Sequence, residues 1–218
     1  MDAVSPSPGL RERKKQKTRD TISKVALQLF ADRGYEQTTI AEIADAAEVS
    51  PRTIFAYFPS KEDILFCDLP DAHERLARAL RGRPEGVTAL DVLREFIVAS
   101  LDPDRTQLLR KRVLASNETL RHNKRARFAP FEQLIVEATA EDLGAGADDI
   151  RPQIVAAAAA AALTAVRESD PAAPPEADSP EQTMAAIDDV MHFLRGGLDA
   201  LRDDRRAIAA SAAGDGDQ

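Results

Sequence analysis

Two helix starts stand eleven residues apart in this chain, at Thr39 and Ser50, and little but a pair of short helices in a tight turn fits between and after them. Thr39 with Glu42 three residues on has the pattern of a capping box, in which each side chain satisfies an amide at the helix start. Ile40, Ile43, Ala44 and Ala47 then fall on one face at helical spacing. Ser50 is a good N-cap. Pro51 follows in the first helical position, where its missing N–H costs nothing and its fixed φ suits the helix. Ile54 and Phe58 point with Val49 to a core, which leaves Arg52, Thr53, Ala56 and Tyr57 on or near the outer side. Pro59 ends the second helix. Ser60 with Asp63 reads as another capping box, with Lys61 in the first turn of the next helix.

Two short helices joined in this way make a helix-turn-helix, whose second helix can enter the DNA major groove. A groove-reading helix needs small or polar side chains at its start, and Ser50, Pro51, Arg52 and Thr53 supply them. Arginine pairs with guanine, and threonine hydrogen-bonds a base edge or touches a thymine methyl. Helix starts bearing Thr38, Thr39 and Lys61 suit phosphate oxygens. The same pattern also describes a capped helical hairpin inside an ordinary all-α core, and spacing alone leaves both open.

The segment from about Leu29 to Leu65 resembles the DNA-binding domain of the TetR family of bacterial transcriptional regulators. The matching runs are L-F-A-D-R-G-Y-E-Q-T-T-I, I-A-D-A-A-E-V-S and T-I-F-A-Y-F-P-S-K-E-D-I-L. The resemblance implies that Thr38 and Thr39 meet phosphate, that Ser50, Pro51, Arg52, Thr53 and Ala56 face base edges, and that Tyr57 and Lys61 grip the DNA backbone. Two positions depart from the family pattern. Glu48 stands where glycine is common in the turn. A non-glycine residue at positive φ costs roughly 1 kcal/mol, so either the turn is strained or its geometry differs. Phe55 stands where tyrosine is favoured; it cannot donate to a phosphate, so it is assigned packing, or at most a thymine-methyl contact.

Charge distribution supports a nucleic-acid partner better than the net charge of −8 does. Arg11 to Arg19 holds six basic residues and one acid, whereas Glu176 to the end holds ten acids and four bases. Such a molecule turns a positive end toward DNA. The run R-E-R-K-K-Q-K-T-R is either a solvated helix start or an arm that reaches phosphates or the minor groove. The lone Cys67 rules out an internal disulfide and fits a reducing cytosol, hence a cytoplasmic protein. Beside Ile64, Leu65 and Phe66 it reads as a small buried hydrophobe, with a redox sensor as the alternative. No apolar run is long enough to span a bilayer, and the polar, basic N-terminus lacks the apolar stretch of a secretory signal. Enzyme chemistry has no foothold. His73, His122 and His192 have no metal-ligand spacing, and there is no Gly-rich phosphate loop and no G-x-S-x-G. No catalytic residue, metal or cofactor is expected.

The whole chain reads as all-α, with about nine helices and no convincing strand. Residues 1–10 are expected to be a disordered tail, 11–59 a three-helix DNA-binding domain, 60–205 a larger helical effector-binding and dimerisation domain, and 206–218 a second disordered tail. The first helix carries Ile22, Val25, Ala26, Leu29 and Phe30 on one stripe and stops at Gly34, with Tyr35 wedged into the small core. A fourth helix from Ser60 toward Leu80 is interrupted by Pro70, which is either a hinge or a place where two helices meet. Thr88 with Asp91 caps a helix carrying Leu90, Leu93 and Ile97. D-P-D at 102–104 begins another, with Leu109, Val113 and Leu120 inward. One from Asn123 or Lys124 carries Phe128, Phe131, Leu134 and Ile135, bends at Pro130 and ends before G-A-G at 144–146. Ile150 to Arg167 includes seven consecutive alanines. A loop spans 170–180, and the last helix runs from Pro180 to about Asp204.

In the family the last two long helices form a homodimer, here 150–167 and 181–204, so that two reading heads meet a palindromic double-stranded operator with half-sites roughly 34 Å apart. The resemblance implies that the middle helices, roughly 88–143, enclose a small-molecule effector. The residues expected to line its pocket are Phe96, Leu109, Arg110, Val113, Asn117, Phe128 and Phe131. A second basic island, Arg105, Arg110, Lys111, Arg112, Arg121, Lys124, Arg125 and Arg127, has Glu118 as its only acid. It is either a solvated face or a cationic rim suited to an amphiphile with an anionic head. The run L-L-R-K-R-V-L-A-S-N-E-T-L-R resembles regulators with an acyl-CoA-like ligand domain, which implies a fatty acyl or acyl-CoA effector. Repression released by the effector is the family's commoner mode. An activator of the same fold, or a helical ligand carrier without DNA binding, are the alternatives.

Overall fold

A computed structural model describes residues 9–100, 105–167 and 180–214. Among the described residues there are ten helices and no strand, one helix more than expected. The chain divides into two compact units. The first comprises residues 1–69 and 103–121, and the second 70–102 and 122–218.

The first unit contains α1 (Leu10–Arg33), α2 (Ile40–Ala46), α3 (Pro51–Tyr57), α4 (Lys61–Leu65) and α7 (Arg105–Ala115). Its core gathers Ile22, Ala26, Leu27 and Phe30 of α1, Ile43 of α2, Ile54 and Phe58, and Ile64 and Leu65 of α4, all buried. Tyr35 is buried among them, 5.0 Å from the Phe30 ring. Gly34 closes α1 as expected: at φ 92 its N–H donates to the Phe30 carbonyl.

Helix α7 is the departure from the expected domain plan. Leu109 and Val113 recur one turn apart, and Val113 and Leu120 are buried in this first core, with Leu109 and Leu114 packed against it. Arg110 fastens the helix. Its Nε donates to the Leu65 carbonyl at 2.8 Å, and its Nη1 meets the Asp68 carboxylate at 2.6 Å. Nothing in the local sequence of α7 distinguishes a partner in α1 from one in the middle helices, because both would bury the same apolar edge.

The second unit holds α5 (Leu69–Arg81), α6 (Ala89–Ala99), α8 (Glu118–Leu143), α9 (Arg151–Arg167) and α10 (Pro180–Gly214), apart from the ends of α5 and α8 that fall in the first. Its core includes Leu76 and Leu80 of α5, Leu90 and Leu93 of α6, Ile135 of α8, Val155 and Ala159 of α9, and Ile187, Met191 and Leu194 of α10. Thr88 and Asp91 form the expected capping box at α6. Asp142 reaches the same helix start, accepting from the Ala89 amide at 2.6 Å. Arg83 ties the loop before it to α8 through Asp142, Glu141 and the Ala138 carbonyl.

At Pro70 two helices meet, one of the two alternatives the sequence left open: α4 stops at Leu65, and Pro70 sits in the first turn of α5, where its missing N–H leaves no intrahelical bond unmade. Two element boundaries differ from the sequence reading. Helix α8 begins at Glu118 instead of Asn123, because the Asn117 side chain accepts from the Leu120 amide at 2.9 Å and caps it. Leu120 therefore belongs to α8, and Pro130 lies inside that helix without ending it. Helix α10 runs past Asp204 to Gly214. The 170–180 loop, apart from Pro180, and the D-P-D stretch lie outside the described residues, as do Met1–Pro8 and the last four positions.

Candidate DNA-reading surface

The corner between α1 and α2 is built from part-buried hydrogen bonds. Thr38 is 1% exposed, and its hydroxyl donates to the Gly34 carbonyl at 2.8 Å, with the Leu29 carbonyl a weaker second acceptor at 3.3 Å. The Thr38 hydroxyl is thus held by the corner itself, since a buried hydroxyl without partners is costly. Lys61 closes the same corner from α4. Its Nζ donates to the Tyr35 carbonyl at 2.9 Å and the Thr38 carbonyl at 3.0 Å, and sits 4.4 Å from the centre of the Tyr35 ring. A cation over an aromatic face is attracted to the ring's negative quadrupole.

Thr39 is exposed and opens α2 with a complete capping box: Glu42 N donates to Thr39 Oγ1, and Thr39 N donates to Glu42 Oε2 at 2.8 Å. The Thr39 amide, then the Thr39 hydroxyl, with Arg33 nearby, hold the Glu42 carboxyl below its ordinary range. The turn that follows carries Glu48 at φ 54, the non-glycine residue with positive φ among the described residues. Val49 N donates back to the Ala44 carbonyl at 2.9 Å, so the turn keeps the left-handed residue where glycine is usual.

Ser50 caps α3, accepting from the Thr53 amide at 3.0 Å, and its hydroxyl lies 2.8 Å from that of Thr53. Pro51 occupies the first turn as expected. Buried Ile54 and Phe58 fix the rotation of the helix, and Arg52, Phe55 and Ala56 stand outward at the i, i+3, i+4 spacing of one face. Thr53 and Tyr57 are half-buried on the flanks. Phe55 is 54% exposed, which corrects its assignment to packing; its phase relative to Arg52 was the available signal. The Ser60 hydroxyl accepts from the Asp63 amide at 3.2 Å and donates to the Asp63 carboxylate at 2.8 Å, capping α4.

The basic run is helical from Leu10. Arg11, Arg13, Lys14, Lys15 and Lys17 are exposed, and the first buried residue of α1 is Ile22. Cys67 is half-buried, its sulfur 3.1 Å from the Ser23 hydroxyl.

The seven residues expected to line an effector pocket are not brought into one unit. Leu109, Arg110, Val113 and Asn117 belong to the first, where Asn117 also donates to Glu36 at 3.1 Å. Phe96, Phe128 and Phe131 belong to the second. There Phe131 lies 5.4 Å from Phe128, and His73 of α5 meets it edge-on at 5.4 Å. Of the second basic island, Arg112 and Arg121 are exposed and Lys124 and Arg127 half-buried; the side chains of Arg105, Lys111 and Arg125 lie outside the described residues. Among the described residues no group of side chains is arranged to hold a metal ion, and no helix is long and apolar enough to cross a membrane.

Residues 22–66 match the family described as bacterial regulatory proteins, tetR family. Residues 87–199 match the one described as the MftR C-terminal domain. The regulator TcmR of Streptomyces glaucescens is 44% identical over 86 residues, 39% of this chain and 38% of TcmR. The transcriptional regulator MftR of Mycobacterium tuberculosis is 28% identical over 148 residues, 66% of this chain and 75% of MftR. Among solved structures, a SmeT–triclosan complex aligns with a TM-score of 0.60 at 22% identity, over 82% of this chain and 91% of that one. The fatty acid degradation regulator FadR from Bacillus halodurans aligns at 0.58 and 23%, over 82% and 98%. At these identities the solved structures speak for the fold alone. With residues 22–66 and 87–199 both matched, and α2 and α3 each capped as a helix-turn-helix requires, this chain belongs to the tetR family of bacterial regulatory proteins.

Proposed function

We propose that this chain is a ligand-responsive transcriptional regulator, acting in the cytoplasm as a homodimeric repressor of a palindromic operator. The observation that carries the reading is the outward face of α3, where Arg52, Phe55 and Ala56 stand exposed while Ile54 and Phe58 lock the helix to the core. In this reading Ser50, Pro51, Arg52, Thr53 and Ala56 face base edges, while Thr39 and Tyr57 meet phosphates. Thr38 and Lys61 hold the corner that sets α2 and α3 at their working angle. Arg52→Ala tests it. The substitution should cost roughly 1–3 kcal/mol of specific binding and relax the base preference at one position. Unchanged affinity for both specific and scrambled duplex would overturn the assignment.

The homodimer is supported by apolar surface on the last two helices. Ile150, just before α9, and Ile154, Ala157 and Ala161 on it recur outward at helical spacing, and α10 presents Phe193, which is 75% exposed, together with Gly196, Gly197 and Ala200. A two-fold pairing of these faces buries them and supplies two reading heads. For the effector, Phe96, Phe128, Phe131 and His73 supply aromatic surface in the second unit, and Lys124 and Arg127 precede the two phenylalanines of α8 by one turn each. That composition suits an amphiphile with an anionic head, such as a fatty acyl or acyl-CoA. A panel of acyl-CoAs of graded chain length should raise the melting temperature and release the operator. No shift and no release across the panel would remove this effector class. In two-state terms the ligand favours the conformer whose heads no longer match the half-sites.

A further inference from the structure

Phe55 is the large apolar side chain of α2 and α3 that stands clearly out of the core, at 54% exposed. Its neighbours Ile54 and Phe58 are at most 1% exposed, so the helix cannot rotate to bury the ring without expelling them. Phe55 follows Arg52 by three residues and adjoins exposed Ala56, so the three side chains share one outward face. The ring has no hydroxyl and can serve no phosphate. In the major groove the apolar group that a base edge offers is the thymine 5-methyl, and phenylalanine is among the side chains that contact it. Three residues of helix advance about 4.5 Å, one to two steps of a duplex with about 3.4 Å between base pairs.

We propose that Phe55 is a specificity-determining residue that reads a thymine 5-methyl group, one or two base pairs from the base read by Arg52. The proposal rests on α3 being the major-groove helix. Arg52 then supplies a polar reading and Phe55, flanked by Ala56, an apolar one. The half-site is expected to carry thymine at a fixed offset from guanine.

The test uses the full chain and a library of random-sequence duplexes. The enriched duplex is resynthesised with each thymine replaced in turn by deoxyuridine, which removes the methyl and leaves the hydrogen-bonding edge unchanged. At one thymine per half-site the wild-type protein should lose about fourfold in affinity, the worth of one apolar carbon. Phe55→Leu should keep most of that ratio and Phe55→Ala should bring it to unity, with melting temperatures unchanged because the site is exposed. A wild-type ratio of unity at every thymine overturns the proposal while leaving the groove-reading role of α3 intact. So does a full ratio retained in Phe55→Ala, which would assign the methyl to another side chain. A change of oligomeric state in Phe55→Ala with no change in thymine preference assigns the ring to a protein contact and overturns it as well. Enrichment of no sequence at all by the wild type removes α3 as a reading helix, and the proposal with it.

Discussion

Glu48 holds its backbone at φ 54 in the turn between α2 and α3, where an L-residue crowds its own carbonyl. Glu48→Gly should therefore raise stability by about 1 kcal/mol, read as a higher urea midpoint at unchanged slope. A lower midpoint would mean that the lost backbone restriction of the unfolded chain outweighs the relief. Single residues show where sequence suffices and where it stops. The Thr39–Glu42 box and the Ser50–Pro51 start were legible because both partners lie within three residues. The inward turn of Thr38 and the ties of Lys61 were not. Lys61 meets carbonyls 23 and 26 residues away, and no local pattern encodes such a partner. Phe55 was legible in phase, but a family habit of tyrosine at that position drew the reading toward packing.

Helices were recovered where the caps were strong and misplaced where a cap was weak or remote. Thr88 with Asp91 marked α6, whereas Asn117, whose side chain accepts from the Leu120 amide at the start of α8, was not read as a cap. Burial raises the Asp91 carboxyl, but the Thr88 hydroxyl and amide together with Arg195 outweigh it and hold Asp91 below its ordinary range. A depressed carboxyl contributes stability above its unfolded value, about 3.9, and loses it as pH falls through the folded value. Melting followed by circular dichroism between about pH 2 and 6 should thus show a fall that Asp91→Asn flattens; an unaltered profile would mean that the box contributes no linkage. Helix α7 gives the second test at this scale. Val113→Ala removes two buried carbons from the first core and should cost about 2 kcal/mol. A cost near zero would mean that α7 does not share the core of α1.

At the scale of the molecule, the proposed function rests on charge and symmetry. The first turns of α1 precede any buried residue and hold five exposed cations, Arg11, Arg13, Lys14, Lys15 and Lys17. Replacing Lys14, Lys15 and Lys17 with Gln should lower the salt dependence of DNA binding by up to about 0.9 in log–log slope per lost phosphate contact. An unchanged slope would leave this stretch as solvated helix. Ala161→Glu combined with Phe193→Asp should yield a folded monomer by sedimentation, with operator affinity lost; a persisting dimer would place the two-fold axis elsewhere.

The placement of α7 has a practical corollary for anyone building hybrid regulators. The unit that supports α2 and α3 is discontinuous in sequence, drawing on residues 1–69 and again on 103–121. A chimera joined at a single junction after residue 69 would graft α1 to α4 onto a foreign α7 and a foreign start of α8, and lose the apolar complement supplied by Val113 and Leu120. Transplanting the specificity of this protein intact requires both pieces to travel together.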